Sequence, residues 1–111
     1  MFKGLFGNRS QRHYARGIEQ FDDGLLSEAI ESFEEAIAID PDGPDAALAR
    51  FYRADAQARI GTECLERGDW QGALDRFDAA LADHSQFPDL HLQRAMALMI
   101  GDDPLAAERA A

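Results

Sequence analysis

The sequence predicts an all-α fold of antiparallel helix–turn–helix repeats, two full copies and a partial third, and three observations predict it. Composition is the first. Val is absent, Thr occurs once at Thr62 and Ala is abundant, so β-branched residues are scarce and helix formers plentiful. Periodicity is the second: Ile30, Phe33, Ile37 and Leu74, Phe77, Leu81 recur at three- and four-residue steps, one apolar stripe per helix. The third is self-similarity. Ala29, Phe33 and Ala36 have the same internal spacing as Ala73, Phe77 and Ala80, and Gly17, Glu19 and Gly24 correspond to Gly61, Glu63 and Gly68. A weaker third copy sets Gly101-Asp102 before Ala106 as Gly68-Asp69 precedes Ala73.

In chain order, residues 1–9 read as a flexible N-terminal segment and 10–111 as one repeat domain, divided 10–43, 44–87 and 88–111. Gly and Asp at 23–24, 42–43, 68–69 and 101–102 punctuate the helices. The spans expected are 11–23, 27–39, 45–67, 70–83, 88–100 and 104 to the end, and their short turns imply antiparallel neighbours. Copies one and two are unequally spaced from copies two and three. Ala29 to Ala73 spans 44 residues, whereas Ala73 to Ala106 spans 33. The extra residues fall within 44–56, where Pro44 suits a helix first turn and Asp42 or Gly43 can cap it. Small or apolar residues continue at Ala47, Phe51, Ala54, Ala58, Gly61 and Leu65. The insert therefore lengthens the first helix of copy two, to about 35 Å at 1.5 Å per residue.

These residues resemble the tetratricopeptide repeat (TPR), a helix–turn–helix unit that stacks into a superhelix. In that family a small residue in the first helix lets the second approach closely, and Gly17, Gly61 and Ala95 match it. Turn glycines match at Gly24, Gly68 and Gly101, the Ala–Phe–Ala series packs the two helices, and Pro41 matches the closing proline. The resemblance covers roughly residues 10–110. Copy one departs from it, with His13 and Arg16 where the family has an aromatic and a leucine. Copy three shortens its turn, and its second helix, from Pro104, stops about halfway without the polar cap a solenoid needs. That pattern suggests either a longer native chain or an edge hidden in an oligomer.

Charge and reactive residues narrow the function. The net charge is −10, which argues against nucleic acid as a partner. It is unevenly spread: residues 1–16 carry Lys3, Arg9, Arg12 and Arg16 and no acid, whereas residues 17–45 carry ten acids and no base. The acidic stretch reads as a solvated helix surface or as a face that attracts a basic partner. Cys64 alone forms no internal disulfide, and no apolar run approaches membrane-spanning length, so a cytoplasmic protein is expected. His13, His84 and His91 lie on separate elements, and no zinc-ligand series, phosphate loop or nucleophile–base pair is present. The expectation is a protein without catalytic residues, metal or cofactor. Cys64 and Trp70 read as packing residues.

The resemblance implies protein–protein interaction, with the first helices lining a concave groove for a peptide or helix of a partner. Carried over by position, the groove residues are Gln11, Tyr14, Ile18, Phe21 and Asp22, then Asp55, Ala58, Arg59, Thr62, Leu65 and Glu66, then Asp89, Leu92, Gln93, Met96 and Met99. Chaperone-tail clamps in the family use Lys, Asn and Arg, whereas this chain has one Lys (Lys3) and one Asn (Asn8), both ahead of the repeats. A second candidate surface is Arg50, Phe51, Tyr52 and Arg53, since Arg and aromatic residues are common binding hot spots. Packing of Phe51 and Tyr52 on the helices of copy one is the competing reading. Two further functions stay open: self-association through the long helix or the partial third repeat, and a membrane-surface adaptor using Phe2, Leu5 and Phe6 within residues 1–6.

Overall fold

Helix-forming composition and glycine punctuation produce the architecture that they predict. The computed structural model describes residues 2–84 and 88–102, with side chains for 9–84 and 89–102. Among the described residues there are five helices and no strand: α1 (Phe2–Asp22), α2 (Leu26–Ile39), α3 (Pro44–Glu66), α4 (Trp70–Asp83) and α5 (Pro88–Asp102). Helices α2, α3 and α4 fall within one residue of the expected spans. The long helix is continuous over 23 residues. The sixth helix expected from Pro104, and with it Ala106, lies outside the described residues.

Two boundaries differ from expectation. Helix α1 starts at Phe2 instead of near residue 11. Gly4 and Gly7 lower helix propensity there, but nothing in the stretch forbids a helix, and buried Ser10 anchors it through a hydroxyl that donates to the Ala36 carbonyl at 3.1 Å. At the other end, Gly101-Asp102 continues α5 where a turn is expected. Gly24 and Gly68 turn the chain with φ of 81° and 80°, and they are the only positive-φ residues among those described. Gly101 has a different task. It backs onto Trp70, whose Cε3 would stand 2.7 Å from an added Cβ.

The chain divides into two compact units, 1–56 and 57–111, with the division inside α3. In the first unit α1 packs along α2 over a core of Ala29, Phe33, Ala36 and Ala49. Gly17 makes the close approach possible: a Cβ there would lie 2.5 Å from the Phe33 ring. The Ser32 hydroxyl donates to Gln20 Oε1 at 2.6 Å, a second tie between the helices. His13 Nδ1 lies 2.7 Å from Glu35 Oε2, near in distance but not aligned as a hydrogen bond.

The second unit repeats this packing. Phe77 is fully buried with Ala73 and Ala80, and a Cβ on Gly61 would lie 2.6 Å from its ring. Asp69 caps α4 by accepting the Gly72 N–H at 2.9 Å. Arg76 donates to Gln57 Oε1 at 2.9 Å, Arg94 Nε meets Asp78 Oδ1 at 2.6 Å, and Leu90 and Ala97 of α5 are buried. Cys64 is buried with the Arg67 guanidinium 3.4 Å from its sulfur, and Trp70 is half-buried against Gly101.

Candidate partner-binding surface

The side chains that the sequence nominates for binding divide into those used by the core and those left facing solvent. Tyr14, Ile18 and Phe21 on α1 are half-buried and pack against the core of the first unit. Tyr52 joins them from α3, its ring centroid 6.1 Å from Phe33 in a stacked arrangement, 5.7 Å from Phe21 edge-on and 6.4 Å from Tyr14. Burial, then the neighbouring Tyr52 and Asp45, raise the Tyr14 phenol above its ordinary pKa of 10.0. Most of the area of these aromatic residues is used in packing, and the remainder is left to solvent. Asp22, at the end of α1, is exposed.

The other nominated residues of α3 have mixed fates. Arg50 donates to the Pro41 carbonyl at 3.0 Å and so fastens the start of α3 to the preceding turn. Phe51 stands edge-on to Tyr52 at 5.5 Å yet remains 41% exposed, while Arg53 is half-buried. Of the expected alternatives, Tyr52 packs on the first helix pair and Phe51 is shared between packing and solvent. Further along, Arg59 and Glu66 are exposed and Thr62 and Leu65 half-buried. The Thr62 hydroxyl donates to the Ala58 carbonyl one turn back at 3.0 Å.

On α5 the nominated apolar residues Leu92, Met96 and Met99 stay outside. They are 63%, 48% and 67% exposed, and Gln93 is half-buried. Ala95, matched to Gly17 and Gly61, is exposed as well. Side chains of Phe2, Leu5 and Phe6 lie outside those described.

Sequence reasoning missed three exposed apolar residues, Leu25, Leu48 and Leu98. A signal for Leu48 was present. Pro44-Asp45 and Pro88-Asp89 stand 44 residues apart, the same step as Ala29 to Ala73, so Leu48 corresponds to Leu92 and Arg50 to Arg94. The two helices thus open on one pattern.

Among the described residues no group of three His, Cys, Asp or Glu side chains is placed to hold a metal ion, and no helix is long and apolar enough to cross a membrane. The surface can supply apolar contact, hydrogen bonds and acidic charge. Comparison with known proteins yields no significant match among curated proteins or solved structures. A family model described as "Tetratricopeptide repeat" matches residues 14–63 and 60–111, segments that together take in α2 to α5 and the C-terminal part of α1 from Tyr14. With paired helices, turn glycines and close-approach glycines all at repeating positions, the chain belongs to the tetratricopeptide repeat family.

Proposed function

We propose that the chain is an interaction scaffold that binds a peptide or helix of a partner protein through the first helices of its repeats, which line a concave groove in this family. Domains of the family generally mediate protein–protein interaction and are not catalytic. The observation that carries the proposal is the exposed set at first-helix positions: Asp22, Arg59, Glu66, Leu92 and Met96 face solvent, while second-helix residues such as Phe33 and Phe77 form the cores. Recognition then rests on apolar anchors edged by charge, with half-buried Tyr14, Ile18 and Phe21 adding what area they leave to solvent. An acidic chain of net charge −10 favours a basic partner.

Exposed positions give the better test, because truncating Tyr14 or Phe21 would also injure the core. A pull-down comparing wild type with Arg59→Glu/Glu66→Arg and with Met96→Asp, each checked for unchanged helical circular dichroism, is expected to show partner recovery reduced about tenfold or more. Equal recovery by all three proteins would overturn the proposal.

A further inference from the structure

Helix α1 begins at Phe2, which puts the apolar residues of its first turns on one helix with the arginines that follow. Phe2, Leu5, Arg9, Arg12 and Arg16 succeed one another by three, four, three and four residues. At 100° per residue these register positions fall within about 80° of the helix circumference, with Phe6 at the edge. Arg9, Arg12 and Arg16 are exposed, and none pairs with a carboxylate among the described residues. The three arginines stand roughly 100–160° around the helix from Ser10, which ties α1 to α2, and roughly opposite the groove position Ile18. Residues 1–16 hold four of the 11 basic residues of the chain and none of its 21 acids.

The polarity of this line changes along the helix axis, not around it. Phe2 to Phe6 covers about 6 Å and Arg9 to Arg16 about 10 Å, and the first acid of α1, Glu19, stands about 25 Å from Phe2. A bilayer leaflet is layered in the same order, hydrocarbon, then headgroups, then water. Phe and Leu side chains enter the acyl boundary, and guanidinium groups pair with lipid phosphates. Glu19 then lies about three Debye lengths from the apolar start at physiological salt, beyond strong repulsion by an anionic surface. The acids nearer this end of α1 are on the α2 side, away from the arginine line. Glu35 approaches His13, and Asp40 and Asp42 follow the end of α2, where Arg50 donates to the Pro41 carbonyl.

An anionic protein face is the competing occupant. A second copy offers exposed Glu28, Glu31 and Glu35 at the same three- and four-residue steps as the arginines. Exposed ion pairs contribute little, and this pairing sets two chains of net charge −10 side by side. We propose that the start of α1 is a surface anchor for anionic lipid. Phe2, Leu5 and Phe6 enter the acyl boundary while Arg9, Arg12 and Arg16, with Lys3, contact the headgroup phosphates. The anchor does not depend on the partner-binding function above.

Flotation of the full chain with phosphatidylcholine vesicles in which about a third of the lipid is phosphatidylserine tests this. Binding is expected to these vesicles, to weaken as salt rises, and to be absent with phosphatidylcholine alone. Each basic residue near an anionic leaflet contributes about fivefold to partitioning, so Arg9→Gln/Arg12→Gln/Arg16→Gln should lower it about a hundredfold. Phe2→Ser/Phe6→Ser should lower it about tenfold or more. Helical circular dichroism checks that both variants stay folded. Arg59→Glu/Glu66→Arg, which alters the proposed groove, should float as wild type does, so failure of one reading is distinguishable from failure of the other.

Equal flotation with and without phosphatidylserine would overturn the proposal, as would wild-type binding by either the arginine or the phenylalanine variant. No flotation with the anionic vesicles would also sink it. If light scattering then shows self-association that the arginine variant loses, the line belongs to a second copy.

Discussion

Glycine performs two unrelated tasks in this chain, and substitution separates them. At Gly17 and Gly61 the backbone is ordinary helix, and what matters is the absent side chain, because a Cβ would press on the buried ring of Phe33 or Phe77. Gly17→Ala is expected to destabilise by about 1–3 kcal/mol through overpacking, outweighing the helix propensity that alanine gains. At Gly24 nothing lies within 4 Å of the added carbon, but φ is +81°. Gly24→Ala should therefore cost about 1–2 kcal/mol through backbone strain alone. Urea titrations of both variants check the figures, and a neutral Gly17→Ala would refute the close approach. Tyr14 gives a pH signature of its own. Its raised pKa means that the folded state favours the neutral phenol, so this contribution is fully present below pH ~10 and is lost as pH rises through the folded value. Loss of stability in alkali should be shallower in Tyr14→Phe, and coincident wild-type and variant curves above pH ~10 would contradict the assignment.

Among the elements, helices were legible where two signals coincided. For α2 and α4 the Ala–Phe–Ala series fell on one apolar face behind a turn glycine, and both spans followed within a residue. For α3 the apolar stripe ran unbroken from Pro44, so its length was readable too. The start of α1 was not, because Ser10 is held by the Ala36 carbonyl, a partner 26 residues away that local pattern does not reveal. Gly101 was misread as a turn because its neighbour Trp70, not its own backbone, requires a glycine. The binding surface was less legible than the helices: family position nominated Tyr14 and Phe21, but only the fold shows that Tyr52 engages them. Truncating the buried ring of α4, Phe77→Ala, should cost about 3–5 kcal/mol, whereas Phe51→Ala, at a partly exposed ring, should cost less than half as much. Losing the α4 cap in Asp69→Ala should cost about 1 kcal/mol. Thermal unfolding ranks the three, and a Phe77→Ala variant as stable as Phe51→Ala would refute the repeat register.

For the molecule as a whole, each unit centres its core on a second-helix ring, Phe33 or Phe77, and leaves one side of each first helix partly to solvent. That division is what allows a repeat to keep its packing while its surface varies. It also explains why composition, periodicity and spacing sufficed for the fold: they encode the cores, whereas a partner is encoded by the exposed remainder and its charge. The central claim is that these exposed first-helix residues bind another protein. Hydrogen–deuterium exchange of the chain, alone and with the partner it recovers in the pull-down, tests this most directly. Added protection is predicted in α1, α3 and α5, around Asp22, Arg59, Glu66, Leu92 and Met96. Protection confined to α2 and α4, with these three helices unchanged, would contradict it.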